Sequence, residues 1–358
     1  MSKATVMRYF LGSNSEKGFY SLYNTLTKPQ DGEFLWVIKG GPGCGKSSFM
    51  RILGEAAEES GLDVEYVHCS GDPQSLDAVC IPALKTAYVD GTSPHIIEAE
   101  YPGCSSLYLD LGSFYDAGAL ESRRSEIIAL NHDYKELYKR AYSILNAAGG
   151  ISPTRLYQLC SGETKAKIQK RAAGFIAREM RHSGSGGEKR SIFLEAISCE
   201  GTVSFLDDMC SQYDKICTLD NEYGLAGIYL NEICSAAAAK KYDVIICRDA
   251  LCPSETSAVF IPELSLGFAA LSKGEEYEGY IYRHIRLDAL AEDEMSLSER
   301  KGFKEFRKLQ KNLISKAINT LAQAKHLHDK LESIYNPYVD FDSLYRTAQD
   351  HKTWLLGK

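Results

Sequence analysis

The stretch FLWVIKGGPGCGKSSFM, from Phe34 to Met50, decides the fold class of this chain. Its opening, FLWVI, is a short apolar run that predicts a strand buried on both faces. A glycine-rich loop follows, and then SSFMRILGEAAEESG places apolar residues such as Phe49 and Leu53 at helical spacing and ends near Gly61. A strand, a glycine loop and a helix in this order predict an α/β fold with a mostly parallel sheet.

The loop matches the pattern G-x-x-x-x-G-K-[ST] at four residues: Gly40, Gly45, Lys46 and Ser47. In this pattern the glycines let backbone N–H groups surround phosphate oxygens, the lysine meets the β- and γ-phosphates, and the hydroxyl meets Mg²⁺. The anion lies at a helix N-terminus, where unpaired N–H groups and the helix dipole favour it. We therefore predict that ATP and Mg²⁺ are bound by Gly40, Gly41, Pro42, Gly43, Cys44, Gly45, Lys46, Ser47 and Ser48.

A carboxylate at the end of a neighbouring strand usually completes a Mg²⁺ site of this kind. Asp90 closes the apolar run in LKTAYVDG, and we predict that it binds the metal together with Ser47. The alternative for Asp90 is a turn residue before Gly91. Asp72 ends a second predicted strand, LDVEYVHCSGD, where it would take a proton from an acceptor or else cap a short helix opening at Pro73.

Three residues are predicted to be catalytic: Lys46, Asp72 and Asp90. Asp90 is followed by glycine, whereas many fast ATPases have a glutamate there, so no base for hydrolysis is assigned. His95 and Glu98 are weaker candidates and are interpreted as ordinary loop residues. Arg248 is one candidate for an arginine that completes the site, although no pattern in the sequence selects it.

Length and composition indicate a protein of two globular domains. The chain has 358 residues, whereas domains commonly contain about 100–200. A composition of 44% hydrophobic and 25% charged residues is typical of globular proteins, and a net charge of −7 disfavours binding to nucleic acid or anionic membranes. The start, MSKATVMRYFLGSNSEKG, lacks the apolar core of a signal peptide, and no run is long enough to span a membrane. We expect a cytoplasmic protein.

The cysteines are interpreted as reduced thiols. There are 11 of them, and none forms a CxxC pair, so a zinc site is not expected. His326 and His328 are interpreted as individual buried or surface residues rather than metal ligands. Cys44 supports one further hypothesis, that a thiol near the positive end of a helix is acidified and sensitive to oxidation; the alternative is a small residue that fits between the glycines.

The second half of the chain repeats the first in a weakened form. DVEYVHCSGDPQSLDAVCIPAL resembles DVIICRDALCPSETSAVFIPEL, and RYFLGSNSEKG resembles RSIFLEAISCEG, with offsets near 180 residues. The glycine- and serine-rich segment RHSGSGGEKR lies between the copies. We therefore predict two tandem P-loop-like, three-layer αβα domains with mostly parallel sheets, at residues 1–185 and 186–358.

Each copy also contains a long helical segment, ESRRSEIIALNHDYKELYKRAYSILNAA in the first and SLSERKGFKEFRKLQKNLISKAINTLAQAKHLHDKLESIY in the second. Their spacing and charge predict partly exposed helical hairpins. Packing of each hairpin on its own domain is the favoured interpretation, and the alternatives are mobile lids or arms that bind a protein partner.

The loop of the second copy predicts that this copy is degenerate. LDNEYGLAG, from Leu219 to Gly227, keeps Gly224 but has neither the lysine nor the hydroxyl. Asp220 and Glu222 stand where phosphate would lie, and two carboxylates there would repel a triphosphate. We expect that the second copy does not bind ATP.

Taken together, these motifs resemble a family of uncharacterised bacterial ATPases with two tandem P-loop domains. The resemblance covers nearly the whole chain, through KGGPGCGKSSFM, HCSGDPQSLDAVCIPALKTAYVDGTSPH, YPGCSSLYLDLGSFYD and the tandem second half. It implies ATP binding and hydrolysis with Mg²⁺ and implies no particular substrate. The chain departs from the family pattern at Cys44, where threonine is common, and in its second domain, which in the family often keeps a P-loop.

The leading hypothesis is a Mg²⁺-dependent ATPase that uses the first domain only, with the second domain as an inactive structural or regulatory partner. ATP-driven rearrangement of the helical hairpins would be its output. Two alternatives stay open. One is a small-molecule or nucleotide kinase with Asp72 as the base, and the other is a nucleotide sensor that does not hydrolyse ATP and acts through a protein partner.

Overall fold

The structure is a computed structural model that describes residues 4–157 and 160–357. The apolar runs of the first half form strands, and the segments with helical periodicity form helices. In chain order these elements are β1 (Val6–Phe10), β2 (Gly12–Ser15), β3 (Gly18–Ser21), β4 (Phe34–Lys39), α1 (Lys46–Glu59), β5 (Val64–His68), β6 (Leu76–Ile81), β7 (Thr86–Asp90), β8 (Ser106–Asp110), α2 (Ala117–Glu121), α3 (Arg124–Gly150), α4 (Pro153–Tyr157) and α5 (Gly162–Glu179).

The second half contains a corresponding series of strands and helices. They are β9 (Lys189–Ile192), β10 (Glu195–Ser198), β11 (Gly201–Ser204), α6 (Leu206–Cys210), β12 (Lys215–Asp220), α7 (Ala226–Ala239), β13 (Val244–Arg248), β14 (Thr256–Ile261), β15 (Leu266–Leu271), β16 (Ile281–Ile285), α8 (Asp288–Glu292), α9 (Leu297–Tyr335) and α10 (Phe341–Leu356). Short 3-10 turns lie at Tyr23–Thr25, Pro29–Asp31, Pro82–Leu84, Leu111–Phe114, Pro262–Leu264 and Asn336–Tyr338. Among the described residues, no helix combines the length and the apolar character needed to cross a membrane.

The two large sheets have the same strand order. The first is β1-β5-β6-β7-β4-β8, and the second is β9-β13-β14-β15-β12-β16. In each sheet a single strand, β6 or β14, runs antiparallel to its two neighbours, and all other pairs are parallel. The prediction of an α/β fold with mostly parallel sheets is therefore confirmed. Two small antiparallel hairpins, β2-β3 and β10-β11, accompany the sheets.

The two sheets pack against each other. Along β4, Ile38 belongs to the core beneath α1, whereas its neighbour Val37 belongs to a core shared with the second sheet. That shared core also contains Val67 of the first sheet and Ile216 and Phe260 of the second. The layers are therefore helix, sheet, sheet and helix, which differs from the predicted three-layer αβα domains. The reason is that α1 and α7 cover one face of each sheet, and the opposite apolar face is covered by the other sheet.

The helices that follow each sheet are exchanged between the halves. α5 packs on α7 and contributes Ile168 and Phe175 to the core of the second sheet. α10 packs on α1 and contributes Leu344 and Ala348 to the core of the first sheet. The predicted boundary near residue 185 separates the two sheets along the chain, but each sheet is completed by a helix from the other side of that boundary.

The two long helices, α3 and α9, pack on each other as an antiparallel pair. Their direction follows from two contacts: the ring centroids of Tyr134 and His328 are 5.4 Å apart, and Gln310 Nε2 donates to the Ala148 carbonyl at 3.1 Å. The predicted hairpins are therefore wrong, because most of each segment forms one long helix, α3 or α9, that pairs with the long helix of the other half. An apolar stripe shows that a helix face is buried, but it does not identify the partner that covers it.

Backbone and side-chain hydrogen bonds join the edges of the two sheets. The backbone N–H of Phe10 donates to the Phe193 carbonyl, and the N–H of Phe193 donates to the Phe10 carbonyl, both at 2.9 Å. Beside them, Arg190 Nη1 donates to Glu65 Oε1 at 2.9 Å, and Tyr9 Oη donates to the other oxygen of Glu65 at 2.8 Å. These bonds link β1 and β5 of the first half to β9 of the second.

Candidate functional site

The glycine loop, residues 40–45, connects β4 to α1 at the carboxyl end of the strand. Gly40, Gly43 and Gly45 have φ angles of 151°, 70° and 78°, which residues with a Cβ atom rarely adopt. A Cβ on Gly40 would lie 2.5 Å from Cys44 Sγ, so the loop folds closely on itself. The first N–H groups of α1 have no partner within the helix and lie where the loop ends. This combination is suited to binding an anion.

Lys46 and Asp90 lie together beside the glycine loop. β7 pairs with β4 so that Asp90 is opposite Ile38, two residues before the loop. Lys46 Nζ is 3.6 Å from Asp90 Oδ2, and each side chain is 13% exposed. The same Nζ donates to the carbonyl oxygens of Gly40 and Gly41 at 3.0 Å. A cation and a carboxylate thus share one edge of the loop, where a phosphate and a divalent cation would each find an opposite charge.

The two predicted metal ligands have donor atoms of the type that Mg²⁺ prefers. The Ser47 hydroxyl lies in the first turn of α1 and accepts from the Leu76 N–H at 3.0 Å. Asp90 Oδ1 accepts from the N–H and hydroxyl of Thr92 at 2.9 and 2.6 Å, so the carboxylate is held in one orientation. Hydroxyl and carboxylate oxygens are hard donors, and the donor chemistry of this pair therefore fits Mg²⁺.

Asp72 lies in the turn after β5, because the strand ends at His68 rather than at Asp72. Its carboxylate accepts from the Ser75 hydroxyl, and its carbonyl accepts from the Ser75 N–H, both at 2.9 Å. This is a turn at Pro73 and not the start of a helix, so the cap alternative is wrong. Asp72 Oδ2 is also 3.4 Å from Lys325 Nζ of α9, which places a cation of the second half beside the candidate base.

Helices of the second half cover the glycine loop. At the end of α9, Asn336 turns its amide nitrogen toward the loop and donates to the Gly43 carbonyl at 3.0 Å and the Glu332 carbonyl at 3.2 Å. A Cβ on Gly45 would lie 3.0 Å from Leu344 of α10. The sequence gives no signal for these contacts, because no local pattern connects the C-terminal helices to a loop almost 300 residues earlier.

The α9 residues near the loop include a group of metal-ligand type. His328, Asp329 and Glu332 have side-chain donor atoms within 4.8 Å of one another. Asp329 is also bonded to Lys325, the partner of Asp72. His326 is exposed, whereas His328 is half-buried beside Tyr134.

A buried carboxylate that the sequence did not single out lies close to Asp90. Tyr23 Oη donates to Asp77 Oδ2 at 2.6 Å, and His95 Nε2 is 3.8 Å from Asp77 Oδ1. The His95 ring stacks on Tyr23 with centroids 4.5 Å apart. Burial raises the pKa of Asp77, and the negative charge of Asp90 raises it further. The run Leu76–Ile81 is otherwise mostly apolar, so an isolated aspartate in it gave no functional signal.

The hypothesis of an acidified Cys44 thiol is wrong. Cys44 is fully buried in the core beneath α1. Burial raises the pKa of the thiol, and the nearby Lys46 ammonium lowers it by less. The thiol is therefore a small apolar filler between the loop glycines, as the alternative interpretation proposed.

The second loop, residues 221–225, connects β12 to α7 and is one residue shorter than the glycine loop. The backbone N–H groups of Glu222 and Tyr223 donate to the Asp288 carboxylate at 3.1 and 3.3 Å. Asn221 Oδ1 accepts from the first N–H of α7 at 3.0 Å. A carboxylate of the chain itself therefore occupies the position of an anion on the second loop. The role of Asp288 could not be predicted from the sequence, because its partners are backbone groups that no residue pattern reveals.

The predicted chemical groups of the first loop have no counterparts in the second. The starts of α1 and α7 and the registers of the two sheets define which positions correspond. The corresponding pairs are Lys46 with Ala226, Ser47 with Gly227, and Asp90 with Ala270. The second half therefore lacks the ammonium, the hydroxyl and the carboxylate together.

Asp220 and Glu222 make contacts with the chain around the second loop. Asp220 accepts a hydrogen bond from the Leu287 N–H. Arg307 donates to the Glu222 carbonyl and lies 3.5 Å from its carboxylate. The sequence predicted that these two carboxylates would stand where phosphate lies, whereas the carboxylate bound to the loop N–H groups is that of Asp288.

Comparisons of the chain with protein-family models, with curated proteins and with solved structures found no match. The resemblance to the tandem P-loop ATPases therefore rests on the quoted sequence motifs alone. The geometry of the glycine loop is the main guide to function.

Proposed function

We propose that this chain binds ATP with Mg²⁺ at the glycine loop and hydrolyses the nucleotide there. The proposal rests on one observation. The positive-φ glycines, the N-terminus of α1 and the Lys46–Asp90 pair lie together at one edge of the sheet. Loop and helix N–H groups would bind the phosphates. Lys46 would exchange its bonds to loop carbonyls for phosphate oxygens and neutralise charge on the transferred phosphoryl group.

Ser47 and Asp90 would hold the Mg²⁺ ion. When bound, this ion would neutralise negative charge on the β- and γ-phosphates. Asp90 is already oriented for this task, because Thr92 fixes one of its oxygens and leaves the other toward Lys46. Because the Asp90 carboxylate is already held in one orientation, it would lose less side-chain entropy when it binds the ion.

We also infer that the two halves arose by tandem duplication of one P-loop unit and that the second lost nucleotide binding. The identical strand order of the two sheets and the near-constant sequence offset support this inference. In the second unit the Asp288 carboxylate takes the N–H groups that a phosphate would need. The second unit would then have a structural role, because its helix α10 covers the glycine loop of the first unit.

A kinase is the second candidate function. Asp72 lies in the turn after β5, and its pairing with Lys325 of α9 places this turn beside that helix. An acceptor between α9 and this turn would have a carboxylate available to take its proton. The kinase proposal predicts that ATP consumption depends on an added acceptor.

The experiment measures ATP binding and phosphate release by the full-length chain with Mg²⁺. Lys46→Ala should weaken ATP binding by about 10- to 100-fold, because a hydrogen bond to a charged group contributes about 1.5–3 kcal/mol. Asp90→Asn should abolish phosphate release by removing a metal ligand. Glu222→Ala is the matched control in the second loop and should leave ATP affinity unchanged. Wild-type affinity in Lys46→Ala would contradict the proposal.

Asp72→Asn distinguishes the two reactions. For an ATPase, this variant should release phosphate at a rate close to that of the wild type. For a kinase, it should lose transfer to the acceptor while ATP affinity stays within a few-fold of the wild-type value. A chain that binds ATP and consumes none of it under either condition would be a nucleotide sensor.

A further inference from the structure

A cavity of about 310 Å³ lies beside the glycine loop, between the segment after β8, the start of α3 and the end of α9. Apart from the charged side chains of Glu121 and Arg124, its lining is apolar and aromatic. The residues that form it include Gly112, Tyr115, Leu120, Ile127, Ile128 and Tyr335.

The cavity and the glycine loop share a wall. Tyr115 Oη donates to the Pro42 carbonyl at 2.7 Å, so this ring is fixed to the loop. A Cβ on Gly41 would lie 3.0 Å from the same hydroxyl, and a Cβ on Gly40 would lie 3.2 Å from the Gly112 nitrogen. A molecule with phosphates on the loop therefore needs only a short connecting group to reach the cavity.

The two sides of the loop differ in chemistry, because β4 lies between β7 and β8. The β7 side carries the Asp90 carboxylate and, near it, the buried Asp77 carboxylate. The β8 side carries the aromatic cavity. A metal ion and the terminal phosphates fit the carboxylate side, and an uncharged planar ring fits the aromatic side.

Two tyrosines from different halves form the aromatic wall. The rings of Tyr115 and Tyr335 have centroids 5.2 Å apart at an interplanar angle of 48°. Tyr335 is the last residue of α9, so the second half of the chain completes the cavity. At the rim, Ile128 is 61% exposed, and a bound ring would cover this apolar side chain.

We propose that this cavity binds the purine base of the nucleoside triphosphate whose phosphates lie on the glycine loop. This inference rests on the proposed function. The base packs against Tyr115 and Tyr335 and covers Ile128, and the sugar joins it to the phosphates. Base recognition therefore requires both halves of the chain, although the phosphate-binding groups come from the first half only.

The experiment compares the affinities of the full-length chain for Mg·ATP and for magnesium inorganic triphosphate. The wild type should bind ATP more tightly than triphosphate by about 10-fold or more, because stacking of a base on an aromatic side chain contributes about 1–3 kcal/mol. Tyr335→Ala should remove most of that difference and leave triphosphate affinity unchanged. Tyr345→Ala, an exposed tyrosine on α10, is the matched control and should keep the difference.

Ile128→Asp provides a second variant at an exposed position, where a substitution is expected to have little effect on stability. It should also weaken ATP binding and spare triphosphate binding, because a carboxylate would lie at the rim where the base enters. Equal wild-type affinities for ATP and triphosphate would overturn the base site while leaving the phosphate site intact. Unchanged ATP affinity in both variants would also overturn it, and binding of neither ligand would reject the proposed function itself.

Discussion

The glycine loop and the second loop occupy the same place in sheets of the same strand order, yet different groups surround their backbones. The glycine loop has Lys46 and Asp90 beside it and is covered by Asn336 of the other half. The second loop has its N–H groups bonded to Asp288 of its own half. The comparison shows that backbone N–H groups of a loop at this position can be bound by a carboxylate of the chain itself.

The exchanged helices allow the stability of each sheet to be tested separately, because each sheet packs against a helix from the opposite half. Leu344→Ala removes a fully buried side chain that packs next to Gly45. We expect a loss of about 2–5 kcal/mol in unfolding free energy, as for other buried leucines. Leu356→Ala, at an exposed position of the same helix, should cost less than about 1 kcal/mol.

Hydrogen exchange would show which sheet is affected. Leu344→Ala should reduce amide protection in α1 of the first half, and the reciprocal variant Ile168→Ala should reduce protection in α7 of the second half. If Leu344→Ala instead loosened α7 and left α1 protected, the exchange of helices would be wrong.

Removing the internal anion tests the second loop. Asp288→Ala leaves the N–H groups of Glu222 and Tyr223 without their acceptor, and we expect a loss of about 1–3 kcal/mol in unfolding free energy. Asp293→Ala, at an exposed position just after the same helix, is the control and should change stability by less than about 0.5 kcal/mol. An Asp288→Ala variant as stable as the control would mean that the carboxylate does not hold the loop.

The smallest expected effect is a pH dependence. Burial raises the pKa of Asp288 to about 6, and the Asp220 carboxylate adds to the shift, whereas the bonded N–H groups oppose it. A raised carboxyl pKa means that the protonated form is favoured in the folded chain. The protonated Asp288 carboxyl therefore contributes to stability. This contribution is fully present below about pH 4, the pKa of an aspartate in the unfolded chain, and is lost as the pH rises through about 6, the pKa in the folded chain. The wild type should therefore lose stability relative to Asp288→Asn between about pH 4 and pH 7, as measured by urea unfolding at each pH. Parallel stability curves for the two proteins would contradict the prediction.

The sequence was sufficient for the features that depend on neighbouring residues. FLWVI, the loop glycines and the helical spacing after them predicted β4, the loop and α1, and parallel pairing brought Asp90 to the same edge as Lys46. The offset near 180 residues predicted corresponding elements in the two halves, and the two sheets have the same order.

The sequence was not sufficient to predict which elements distant along the chain pack on each other. The apolar faces of α5 and α10 are buried against the sheets of the opposite halves, and no local pattern in the sequence indicates which sheet covers each helix, because the hydrophobic effect is not directional. Asn336 and Asp288 were missed because both bond to backbone groups, which every residue provides. The face-to-face packing of the sheets was missed because alternating apolar residues fit equally well under a helix or another sheet.

The central claim is that the chain has one nucleotide site, at the glycine loop. Titration calorimetry of the full-length protein with Mg·ATP tests it most directly, using the wild type, Lys46→Ala and Glu222→Ala. We predict one bound nucleotide per chain in the wild type and in Glu222→Ala, and severely weakened binding in Lys46→Ala. Two bound nucleotides per chain, or binding that survives Lys46→Ala and is lost in Glu222→Ala, would contradict the claim.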